Sequence, residues 1–99
     1  MRIIVLFKLK PGVDVAAYEH WATHIDTPGV NALGSVDGFT VHRATGLFGS
    51  DAPAPYDYIE IIDIKTMDGF VADISTEAFQ AAVAPFHAFA DNQIGRAHV

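Results

Sequence analysis

The segment Tyr56-Asp57-Tyr58-Ile59-Glu60-Ile61-Ile62-Asp63-Ile64-Lys65 is dense in β-branched and aromatic residues, the types that fit a pleated, packed surface. Side chains alternate along a strand, so Tyr58, Glu60, Ile62 and Ile64 share one face and Ile59, Ile61 and Asp63 the other. Both faces are largely apolar, so both need covering. That pattern describes a central strand with helices on one side and a second apolar surface, a partner subunit, on the other. Glu60 is the anomaly, because an unpaired carboxylate is expensive to bury.

The 99 residues are expected to form one domain, spanning positions 1–99. A chain this short leaves much of its surface exposed, and oligomerisation is a common remedy. With 51% hydrophobic and 18% charged residues, a monomer would struggle to hide its apolar side chains. The net charge of -6, with six Lys plus Arg and no basic cluster, argues against nucleic-acid binding. Cysteine is absent, which excludes disulfides, thiolate metal sites and a Cys nucleophile. The apolar run Ile3–Phe7 is too short for a signal or a membrane span, so a cytoplasmic protein without membrane contact is expected.

Arg2 to Leu9 reads as a first strand, nearly continuous in apolar residues and ended by Lys10-Pro11-Gly12. Asp14 is placed to cap a helix over roughly 15–25, with Val15, Tyr18, Ala22 and Ile25 as its buried stripe. Trp21 and Asp26 fall on the two edges of that stripe, and His20 and His24 on the far side. Asp26-Thr27-Pro28 restarts the chain as a short turn, with Pro28 suited to a first helical position. A second strand over 35–47 carries Gly38 as a bulge or bend. A Gly- and Pro-containing loop over 46–55 leads into the central strand. A short helical piece over 67–72 follows. Ser75 is then expected to cap a helix from Thr76 to about Ala90, with Phe79, Val83, Phe86 and Ala90 inward and a kink at Pro85. A last strand is expected over 92–99. The order β-α-β-β-α-β defines an α+β, ferredoxin-like sandwich with strands one and three in the middle. Its helices cover one face, and a homodimer closing two sheets into an α/β barrel covers the other.

Lys10-Pro11-Gly12-Val13-Asp14, Tyr18-x-x-Trp21, Asp26-x-Pro28, Gly46-Leu47, Tyr56-Asp57-Tyr58-Ile59-Glu60-Ile61 and Asp73-Ile74-Ser75, in this order and spacing, resemble the REDY-like (HapK-type) family. The resemblance runs along nearly the whole chain. It implies a dimeric α+β barrel and a link to secondary metabolism of the prodiginine kind, and it assigns no catalytic residues. Related cofactor-free monooxygenase and haem-degrading branches often carry a pocket-facing His on the second helix. The matching position here is Asp73, and strand one lacks the Asn of the haem-degrading branch. Neither a cofactor nor haem chemistry is implied.

Two carboxylates are candidate acid/base groups. Glu60 would have a raised pKa in an apolar cavity, or would be a structural carboxylate, paired with Arg43 or hydrogen-bonded to Tyr or backbone groups. Asp73 would face the pocket, or would cap free N–H groups of the following helix. Tyr18 and Trp21, three apart on one helix face, would form an aromatic wall for a flat heteroaromatic ligand, or would be core. Tyr58, on the Glu60 face, with His42 on strand two and Phe86 on the last helix, completes the candidate ligand-binding set. His20 and His24 have metal-binding spacing. They point outward without further ligands, so no metal is expected. No phosphate-binding Gly-rich loop exists.

The favoured reading is a homodimeric protein of secondary metabolism, of the prodiginine or polyketide kind. It would hold a planar, apolar intermediate between helices and sheet, as a binder or a cofactor-independent accessory enzyme. The alternative is a non-catalytic dimeric assembly module whose polar residues are structural. A fully partnered Glu60 would favour the alternative.

Overall fold

A computed structural model describes residues 1–91 and the backbone of 95–98. The strands are β1 (Arg2–Phe7), β2 (Val36–Arg43), β3 (Tyr58–Ile64) and β4 (Gly95–His98), in the order β2-β3-β1-β4 and antiparallel throughout. The two most apolar strands, β1 and β3, are therefore the inner pair, as their two-sided hydrophobicity demands. Helices α1 (Val15–Trp21), α2 (Thr27–Asn31), α3 (Met67–Ile74) and α4 (Glu77–Phe89) supply the second layer. This is the ferredoxin-like α+β fold. Among the described residues no helix is long and apolar enough to cross a membrane.

Burial alternates along β3 as its sequence requires. Tyr58, Glu60, Ile62 and Ile64 are buried under the helices, and Ile59, Ile61 and Asp63 are partly covered on the opposite face. β1 does the same, with Ile3, Val5 and Phe7 inward. The register pairs Val5 with Glu60 on one side and with Arg96 on the other. Phe7 is fully buried at the centre of an aromatic cluster. It stacks on Tyr58 at 5.6 Å and meets Phe86 and Tyr18 edge-on at 5.0 and 5.8 Å. The register shift in β2 lies between Val36 and Gly38, where a bulge is expected. β2 is shorter than its sequence suggests, ending at Arg43. It is also an edge strand, and Asn31 covers it: the Phe39 N–H donates to Asn31 Oδ1 at 3.0 Å, and Asn31 Nδ2 donates to the Phe39 carbonyl at 3.1 Å.

After β1 the chain turns at Pro11-Gly12, where Gly12 takes φ 81°, a conformation open to glycine at no steric cost. Asp14 then caps α1, its Oδ1 accepting from the Ala16 N–H at 3.0 Å. Val15, in the first turn, is 46% exposed, outside the core where it is expected. The expected stripe also fails at its far end, where Ile25 is 51% exposed and Asp26 is buried instead. The cause is a π-helical turn over Ala22–Asp26, closed by the Thr27 N–H bonding back five residues to the Ala22 carbonyl. Pro28 has no N–H to give the His24 carbonyl, and its ring would clash with that carbonyl in a regular helix. The wider turn admits one extra residue and rotates everything after Ala22, so Asp26 faces inward where Ile25 would have.

The second helical region also differs in detail. Thr76, not Ser75, caps α4, its Oγ1 accepting from the Phe79 N–H at 3.1 Å. Ser75 ends α3 and donates to the Val71 carbonyl at 2.6 Å. α4 continues through Pro85, with Phe79, Val83 and Phe86 partly buried and Ala90 buried beneath it. Of the last strand expected over 92–99, positions 92–94 and 99 lie outside the described residues.

Candidate functional site

A cavity of about 240 Å³ lies between the helices and the inner face of the sheet. Phe39 and Ile62 form its floor, Phe70 and Ile74 one wall, and Phe79, Val83 and Phe86 of α4 its roof. Its polar groups are Asp26, Glu60, Gln80 and His87. Gln80 and His87 are exposed at its rim, while Asp26 and Glu60 are 7% exposed.

Each carboxylate is carried there by a different local rule. Glu60 arrives by strand alternation. Asp26 arrives by the π-helical turn. Burial pushes the Asp26 carboxyl up to about 6. No described residue offers its carboxylate a hydrogen bond or an ion pair. Glu60 is engaged with its surroundings and is no free carboxylate. The cation expected beside it goes elsewhere: Arg43 lies at the register position of Tyr58, and its Nη1 is 3.6 Å from Glu19 Oε2. The Tyr18 phenol feels both acids. Burial first, then the negative charges of Glu60 and Asp26, hold its pKa far above the ordinary value. Its hydroxyl has no hydrogen-bond partner among the described residues. Burial, then the charge of Glu19, push Tyr58 up to about 12.

The seven residues singled out from sequence do not meet in one place. Glu60 and Phe86 line the cavity. Tyr18, Tyr58 and His42 line a separate, more open cleft of about 400 Å³ between α1 and β2. His42 is exposed, pairs with Ile59 in the sheet, and bonds Thr40 Oγ1 through Nε2 at 2.9 Å. Trp21 is buried against Tyr18 and Phe89 at ring distances of 6.2 and 6.0 Å and lines neither space. Asp73 is turned toward β2, where Oδ2 accepts the Ser35 N–H at 3.1 Å, instead of capping α4. The group that sequence reasoning left out of the site is Asp26. Its signal was Pro28 two residues on, which disturbs a helical count carried past Ala22.

Among the described residues no group of three or more His, Cys, Asp or Glu is placed to hold a metal ion. His20 and His24 stack at 4.2 Å on the outer side of the helix, and His24 Nδ1 is 2.8 Å from the His20 carbonyl oxygen.

A split β-α-β sheet roofed by helices, with an aromatic cavity between the layers, defines a ferredoxin-like α+β protein. Within that class the chain belongs to the REDY-like HapK family, whose model matches residues 1–96. HapK from Hahella chejuensis is 31% identical, superposes with a TM-score of 0.76, and is matched over 100% of this chain and 92% of its own. A dimeric ferredoxin-like protein of unknown function from Thermobifida fusca is 21% identical, with a TM-score of 0.73 and coverage of 99% and 89%. SnoaB, a cofactor-independent oxygenase from Streptomyces nogalater, is 15% identical, with a TM-score of 0.71 and coverage of 99% and 90%. The last two likenesses show the fold. No curated protein matches the chain.

Proposed function

We propose that the protein is a homodimeric small-molecule binder or cofactor-independent accessory enzyme of secondary metabolism, holding a planar, mostly apolar molecule between helices and sheet. The observation that carries this reading is the cavity of about 240 Å³, walled by three phenylalanines from β2 and α4 with carboxylates set into its surface. Aromatic walls with few polar groups suit a flat ligand that is oriented at one or two points. Membership of the HapK family and the fold shared with a cofactor-independent oxygenase support it. The dimer is supported by the apolar face that the helices leave open, with Ile4, Leu6, Ile59 and Ile61 along its inner strands.

The assembly-module alternative draws on two facts: Glu60 is engaged, and Asp73 is a structural tie to Ser35. Asp26 weighs against it, because a carboxylate that is 7% exposed and makes no hydrogen bond with any described residue costs stability and gains nothing for a scaffold. Calorimetric titration with 5-nitroindole, a flat bicyclic ring with one N–H, tests the proposal. Saturable binding that is abolished by Val83→Trp, which fills the cavity, is the expected result. No binding, or binding indifferent to Val83→Trp, would leave the assembly module as the better reading.

A further inference from the structure

Asp26 is 7% exposed, lines an aromatic cavity, and makes no hydrogen bond or ion pair with any described residue. A regular helix would have left it at the edge of the buried stripe, and the π-helical turn at Ala22–Asp26 turns it in. Such single-turn distortions interrupt a favourable hydrogen-bond ladder and recur at functional sites. We propose that Asp26 is the proton acceptor of this cavity, acting on a planar, largely apolar substrate that carries an acidic C–H, N–H or phenolic O–H at its edge. The inference rests on the small-molecule reading and adds the chemistry of the site.

The surroundings of Asp26 suit a base. From α1 the Tyr18 phenol is close enough to feel its charge, and is held neutral by its own raised pKa. From β3 comes Glu60, and from α4 the rim groups Gln80 and His87. The groups from β2, α2 and α3 that line the cavity are apolar, and no described Lys or Arg lines it. Among the described residues, then, no cation quenches the carboxylate and no hydrogen bond weakens it as an acceptor. Burial brings its titration to about 6, near the operating range that favours general-base catalysis. In the step itself the substrate X–H bond breaks and the proton bonds to an Asp26 Oδ. The electron pair stays on the substrate, where a conjugated ring spreads it. Exposed His87 and Gln80 mark the side from which solvent takes the proton back.

A carbon acid of the right shape makes the test independent of the natural substrate. 5-Nitrobenzisoxazole loses its ring C–H proton to a carboxylate as the N–O bond breaks, and the released cyanonitrophenolate is coloured. Its turnover is to be followed with wild type and with Asp26→Asn, beside binding of unreactive 5-nitroindole to both. Expected are saturable 5-nitroindole binding by both proteins, weaker in the variant by about tenfold at most, saturable turnover by wild type that rises with pH around a midpoint near 6, and a turnover loss of about 100-fold or more in the variant. Equal turnover by the two proteins, or a wild-type midpoint at the ordinary carboxylate value, would overturn the assignment of Asp26 while leaving the cavity reading intact. Failure of both proteins to bind 5-nitroindole would sink the cavity reading and this inference with it.

Discussion

Asp26→Asn is expected to stabilise the protein at about pH 7.5 and to lose that advantage near pH 4. Burial raises the Asp26 carboxyl from its ordinary 3.8 to about 6. The native state thus holds this proton more tightly than the unfolded chain does. The wild type therefore has its full Asp26 contribution below pH 3.8 and loses it as pH rises toward 6. A rise of about two units converts, at about 1.4 kcal/mol per unit, to about 3 kcal/mol lost by neutral pH. The amide keeps the shape and cannot ionise, so it escapes that loss. Its own unpaired N–H groups add a penalty that does not depend on pH and cancels when the two pH values are compared. Urea denaturation of both proteins at both pH values, at one fixed protein concentration, measures this difference. A variant that is equally affected at both pH values, or fares worse at the higher one, would refute the reasoning: Asp26 would then be a solvated or paired carboxylate.

Wild type should sediment as the proposed dimer, and Ile61→Asp, which puts a charge in the middle of the face the helices leave open, should sediment as a monomer; a dimeric variant would move the interface elsewhere, and a monomeric wild type would refute the dimer. The wild-type interface should bury more than about 1,000 Å² in total, the lower range for a specific contact. Asp73→Ala removes the acceptor of the Ser35 N–H, so it should cost about 1–2 kcal/mol in thermal or urea unfolding and leave 5-nitroindole affinity as it was. Glu60→Gln should destabilise by about 1–3 kcal/mol, the cost of disturbing an engaged, buried charge; a neutral effect would return Glu60 to the list of candidate bases. Arg43→Ala, which breaks an exposed pair with Glu19, should change stability by less than about 0.5 kcal/mol.

The sheet could be read from the chain because strand alternation is rigid. Tyr58, Ile62 and Ile64 on one face of β3, with Ile59 and Ile61 on the other, mark an inner strand, and the two-fold period leaves no freedom in which face Glu60 takes. The helical side of the site was harder, because its phase depends on how the backbone hydrogen bonds close. Tyr18 and Ala22 sit on the buried face whether or not a π turn follows. Only beyond Ala22 do the two geometries part, one burying Ile25 and the other Asp26. Hydrophobicity favours the first, and the steric demand of Pro28 on the preceding turn wins. Asp73 shows the opposite limit. The sequence allows it either a place in the pocket or a local cap, and it instead reaches across the chain to Ser35, a contact that sequence spacing does not encode. Trp21 is core because Phe89 and Tyr18 close over it, which depends on how the end of α4 meets α1.

The most direct measurement is a crystal structure grown with 5-nitroindole. The expected result is a flat ring between Phe39 of the sheet and Phe79 and Phe86 of α4, with its N–H about 3 Å from an Asp26 carboxylate oxygen. A cavity closed by side chains, or a ring bound only in the open cleft beside His42 and Tyr58, would contradict the placement of function between Asp26 and the aromatic wall.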